Sequence, residues 1–140
     1  MSLTHKINIT SALSGISRTL SKTFQDAGAQ ILEIDVAASQ SNIQHVFDLD
    51  VSQLIAIVIL ATTDVKIETN NASTPTDTLD VNANVPYIWT NLNPSLGTGA
   101  GGADAVTKFS ADITDLFISE QSSTPAAGKV YVHALYDTTP

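Results

Sequence analysis

Leu54-Ile55-Ala56-Ile57-Val58-Ile59-Leu60 decides how this chain is built. The run is apolar at every position and rich in β-branched residues, which favours a strand. A strand apolar on both faces belongs in the middle of a sheet, with the core on one side and a second layer or another subunit on the other. With Ala61 the stretch is eight residues long, far short of the roughly 20 a membrane-spanning helix needs. Ala61-Thr62-Thr63-Asp64 follows as a turn, and it is expected to close a hairpin onto a strand from Val65 to Asn70.

Working outward, most segments alternate with period two, each reading as a strand with one dry and one wet face. Lys6 to Thr10 places Ile7 and Ile9 together. Leu32, Ile34 and Val36 oppose Glu33 and Asp35. Phe47, Leu49 and Val51 oppose Asp48 and Asp50, and Val65 and Ile67 oppose Lys66 and Glu68. Leu79, Val81 and Ala83 oppose Thr78, Asp80 and Asn82. Val130 to Tyr136 makes a last strand, with Val and Ala inward and Tyr131, His133, Leu135 and Tyr136 as a possible interface. Val106, Phe109, Ile113, Leu116 and Phe117 follow helical spacing, but Thr107, Ser110 and Thr114 make a poor helix. At most one helical turn is expected there, before a strand at Leu116. The first 25 residues read as an N-terminal arm or first strands, and residues 26–140 as the body of a single domain.

Asp50-Val51-Ser52-Gln53-Leu54-Ile55 echoes Asp112-Ile113-Thr114-Asp115-Leu116-Phe117, and each precedes a turn and an alternating strand. Two such hairpins facing one another would make an antiparallel β-sandwich or jelly roll. The expected class is therefore all-β.

Composition narrows function. Six Lys and Arg against 14 Asp and Glu give a net charge of −8, which disfavours nucleic acid and anionic membrane as partners. The absence of cysteine rules out disulfides and thiolate chemistry. Met1 to Lys6 lacks the pattern of a secretion signal, so synthesis in a cytoplasm is expected.

No catalytic constellation emerges. Gly97-Thr98-Gly99-Ala100-Gly101-Gly102 has GxGxxG spacing but neither a strand before it nor an amphipathic helix after it, so it reads as a surface loop. Asp48 and Asp50 share a strand face about 7 Å apart, the arrangement of a glycosidase pair or a cation site, and equally that of an ordinary wet face. His5, His45 and His133 occur singly, without metal-ligand spacing. No GxSxG elbow is present. Asn8-Ile9-Thr10 and Asn71-Ala72-Ser73 are sequons, which mean little without a secretion signal. Tyr87 and Trp89 are a possible ligand platform for stacking on sugar, against the alternative of core packing. Neither a cofactor nor a metal is expected.

Asp50 to Leu54, the apolar strand, Thr63 to Asn70, Ser73 to Leu79 and Val85-Pro86-Tyr87-Ile88-Trp89-Thr90 together resemble small structural proteins encoded among the head genes of tailed phages. Asp112 to Ile118 resembles that group's recurrent Asp-Ile/Val-Thr-x-Leu-Phe/Tyr-Ile/Val segment. The likeness covers about two thirds of the chain, and its motifs are structural. It implies a non-enzymatic virion component, with head decoration or cement its place, the major capsid protein its partner and a homotrimer its form. Gly97 to Ala105 departs from the short loop expected there and reads as an exposed protrusion. A carbohydrate-binding or host-adhesion module of a phage particle is the alternative.

Overall fold

The computed structural model describes residues 4–13, 16–25, 27–90 and 109–137. Ten strands account for about two thirds of them: β1 (Thr4–Leu13), β2 (Ile16–Gln25), β3 (Ala27–Val36), β4 (Ile43–Leu49), β5 (Leu54–Ala61), β6 (Val65–Thr69), β7 (Thr78–Val81), β8 (Tyr87–Thr90), β9 (Ile113–Glu120) and β10 (Gly128–Asp137). The one helical element among the described residues is a single 3₁₀ turn, Val51–Gln53. It falls between β4 and β5, not in the segment with helical spacing. No helix among the described residues is long and apolar enough to cross a membrane.

β1 and β2 form a two-stranded hairpin of their own, with Thr4 opposite Gln25 and Leu13 opposite Ile16. The other eight strands make two four-stranded antiparallel sheets, ordered β3-β10-β5-β8 and β4-β9-β6-β7. Strand partners are nested: β3 with β10, β4 with β9, β5 with β8, and β6 with β7. Successive pairs fall in opposite sheets, as if one long hairpin had been rolled up. That winding is a jelly roll, and the all-β sandwich expected from the alternating segments is the architecture observed.

Alternation assigns the two sides of each sheet. Ile34 and Val36 on β3, Ile57 and Ile59 on β5, and Val130, Val132 and Ala134 on β10 face inward. They meet Phe47, Leu49, Val65, Ile67, Leu79, Val81, Leu116 and Ile118 from the other sheet in one core. Full burial of such an aliphatic side chain stabilises the fold by about 1.5–3 kcal/mol. β5 lies between β10 and β8, so the doubly apolar strand is central, as its composition requires.

Two expectations about connections are corrected. Ala61 to Asp64 closes no hairpin, because β5 and β6 belong to different sheets. The segment is a corner, and its backbone bonds go to three other parts of the chain. The amide of Thr62 donates to the Lys129 carbonyl (2.9 Å), that of Asn84 to Ala61 (2.7 Å), and that of Gln121 to Asp64 (2.8 Å). The echoed segments likewise lead into sheet crossings, since β9 and β10 also lie in different sheets.

Glu120 reinforces this corner. Its carboxylate accepts from the amides of Ser39 (3.1 Å) and Ser122 (2.8 Å) and from the Thr63 hydroxyl (3.4 Å). Those hydrogen bonds hold its pKa below the ordinary glutamate value. Asn70 and Asn84 take left-handed backbone conformations at turns, which asparagine tolerates better than most residues. The Asn70 side chain also donates to the Asp112 carbonyl (2.8 Å) and accepts from the Thr114 amide (2.8 Å), tying the end of β6 to the start of β9.

Candidate functional site

The outer faces of the two sheets differ in chemistry. On β3-β10-β5-β8, cross-strand register places Ala29, Ile31, Leu135, His133, Tyr131, Ala56, Val58, Leu60 and Ile88 on the side away from the core. Ile31 is 75% exposed and Tyr131 39%. At one end of this face the Lys129 ammonium pairs with Glu33 (2.5 Å) and Asp35 (3.1 Å). Those two carboxylates raise the lysine's pKa. The opposite sheet presents Lys66 paired with Glu68 (3.1 Å), Asp80 across from Lys66, and Gln44 bonded to Asp115 (2.8 Å). Val46 and Phe117 are its apolar exceptions. One face of the sandwich is wet, and the other is chiefly aliphatic.

Of the residues expected at an interface, Tyr131 is exposed and His133 half-buried on this face. Leu135 lies on the same side of the sheet but is buried, packed with Ala56, Ala29 and Ile55. It is therefore not available to a partner as expected. Tyr136 lies opposite Gly28 and, by simple alternation along β10, in phase with the core-facing Val130, Val132 and Ala134. Its side chain fills the space a side chain on residue 28 would need: a Cβ there would stand closer than 3.0 Å to two ring carbons and the phenolic oxygen. Glycine at 28 is the condition for Tyr136 to lie where it does.

Tyr136 forms one wall of a cleft of about 260 Å³ at the end of the sandwich, lined also by Gln30, Asp48, Leu49, Asp50 and Gln53. β3 and β10 supply Gln30 and Tyr136 from one sheet. The end of β4 and the 3₁₀ turn supply the rest from the other. Asp50 caps that turn, accepting from the Ser52 amide (2.9 Å) and hydroxyl (2.6 Å), and these bonds lower its pKa. Asp48 is exposed at the rim. The carboxylate pair noticed in the sequence thus divides into one structural cap and one accessible group. Gln30 carried no local sequence signal, and Tyr136 was expected at an interface; the strand pairing of β3 with β10 brings the two together as the other half of the cleft.

Tyr87 and Trp89 are not a platform. They are 7% and 8% exposed and belong to the core, with Tyr87 edge-on to Phe109 at 6.4 Å between ring centroids. A stacking surface needs an open ring face, and period-two alternation turns both of these inward. Gly97 to Ala105, the other half of that expected patch, lies outside the described residues. Among the described residues no three His, Asp or Glu side chains gather as metal ligands. His45 stands alone, its Nε2 buried without a partner and its pKa lowered by burial.

No protein family, curated protein or solved structure matches the chain. The two surfaces just described, the aliphatic sheet face and the acidic end cleft, therefore carry the functional reading.

Proposed function

We propose that this chain is a non-enzymatic structural protein of a phage virion, decorating or cementing the head as a homotrimer bound to the major capsid protein. It would be made in the host cytoplasm and end on the particle. The observation that supports this reading is the aliphatic outer face of β3-β10-β5-β8, with Ile31 and Tyr131 exposed on it. An apolar surface of this kind marks a protein contact more often than a catalytic site. The wet opposite face and the acidic balance of the chain suit a surface left in solvent. Asp50, half of the carboxylate pair that could have served an enzyme, is occupied as a turn cap.

Co-sedimentation with assembled phage capsid shells, beside absolute mass by light scattering, tests the proposal. The expected result is a trimer that pellets with shells, and an Ile31→Asp/Tyr131→Asp variant that stays in the supernatant. A protein that ignores shells in both forms sinks the capsid reading. If it also binds a glycan array, the carbohydrate-binding or host-adhesion reading takes its place.

A further inference from the structure

A sheet edge carries a row of N–H and C=O groups without partners, and natural sandwiches blunt such edges with short strands, irregular register, proline or charge turned inward. The sandwich has four edges, β3 and β8 in one sheet and β4 and β7 in the other. β7 (Thr78–Val81) and β8 (Tyr87–Thr90) are four residues long, and β4 loses register between Val46 and Leu49. β3 has none of these devices. It runs ten residues, Ala27–Val36, without proline, and pairs with β10 in unbroken register. Its two charged residues, Glu33 and Asp35, are exposed, out of phase with the core-facing Ile34 and Val36. Among the described residues no strand but β10 pairs with it, since β1 and β2 pair only with each other.

β3 is also complementary to itself. Glu33 and Asp35 occupy its second half, and Ala27, Gly28 and Ala29 its first. Opposed residues of an antiparallel pair share a face, so a dyad through one residue keeps outer positions with outer positions. With the dyad at residue 31, Glu33 falls opposite Ala29 of the copy and Asp35 opposite Ala27, and no like charges meet. Ile31, 75% exposed in the single chain, then lies against the Ile31 of the copy. A dyad at residue 32 would set that apolar side chain against Glu33 instead.

We propose that β3 pairs edge to edge with the β3 of a second copy, joining two four-stranded sheets into one. The pairing satisfies the free backbone groups of both edges, and it makes the aliphatic outer faces of the two copies continuous. Tyr131, Val58 and Ile88, on the strands behind the edge, stay open on that widened face. The contact thus goes beyond the proposed homotrimer by joining one trimer to the next, and it does not rest on the capsid.

The chain contains no cysteine, so single-thiol variants of the full-length protein supply the test. Opposed Cβ atoms in such a pair stand about 4.5–5.5 Å apart. With a short bismaleimide, Ile31→Cys is expected to give a two-copy band at least about tenfold faster than Val85→Cys, which is also exposed but lies off the edge. Mass by light scattering is expected to double across a concentration series, from three copies to six where the proposed trimer forms. Ile31→Lys and Ala29→Lys add the same charge to the chain. The first sets two ammonium groups face to face and is expected to weaken the doubling at least about tenfold. The second sets each ammonium opposite Glu33 of the copy and is expected not to weaken it. Thermal melts check that each variant folds, and the crosslink decides alone should a lysine variant fail. A mass that never doubles overturns the proposal, as do equal crosslinking at the two thiols or equal loss in both lysine variants. Crosslinking of Ile31→Cys to a shell protein in place of its copy also overturns it. Shell binding of the same proteins separates the two ideas. Doubling through β3 in a protein that ignores shells keeps the contact and removes the capsid role. Shell binding by a protein whose mass never doubles does the reverse.

Discussion

Ile118 shows how much one side chain contributes. It is fully buried on an interior strand, opposite Ile67 on one side and Ile43 on the other. Ile118→Ala is expected to cost about 2–5 kcal/mol by urea unfolding, and Ile118→Val about 0.5–1.5, because the lost contacts leave a void the sheets cannot close. Equal costs for the two would show that the interior is not packed this way. The carboxylates make a second prediction. Asp50 and Glu120 titrate below their ordinary values in the folded chain. Their contribution is therefore full above the unfolded values and disappears as pH falls below about 4. Asp50→Asn and Glu120→Gln together should flatten the acid limb of the stability profile. His45 adds an earlier loss: burial disfavours its charged form, so the unfolded chain takes up its proton more readily as pH drops past about 6.5. In His45→Phe that upper step should vanish, and its persistence would assign it to another group.

Among the elements, the central place of β5 could be read from its composition, and β3, β4, β6 and β7 from their alternation. β9 could not. A register irregularity between Val46 and Leu49 puts both Ile113 and Leu116 in the core, three residues apart, which is the spacing of a helix face. The corner at Ala61 to Asp64 was illegible for a related reason. A short polar connection serves a hairpin or a sheet crossing equally well, and the choice is made by β8, β9 and β10, which come later in the chain. The acceptor-rich cleft stayed hidden because Gln30 and Tyr136 lie more than a hundred residues apart. The β1–β2 hairpin pairs with no sandwich strand, so removing residues 1–26 is expected to leave a cooperatively folding body. Loss of cooperative melting on truncation would make the hairpin part of the fold instead.

For the molecule as a whole, nesting the strand pairs makes nearly every partnership distant in sequence. β3 cannot find β10 until the rest of the chain exists, and loop closure must be met before those contacts stabilise anything. Refolding by stopped-flow fluorescence of the single, core-buried Trp89 is therefore expected on the millisecond-to-second scale typical of non-local β folds. A microsecond phase carrying the full signal would contradict it.

The pairing of first strand with last has a mechanical corollary. Ala27 lies directly opposite Asp137, so the two ends of the sandwich leave from the same end of one antiparallel ladder. A force drawing those ends apart loads the hydrogen-bonded rungs in succession, from Ala27 and Asp137 toward Val36 and Gly128, instead of shearing all of them at once. Held by its two ends the domain should therefore open like a zipper at low tension. Gripped instead across the broad face of β3-β10-β5-β8, it would spread the same load over four strands.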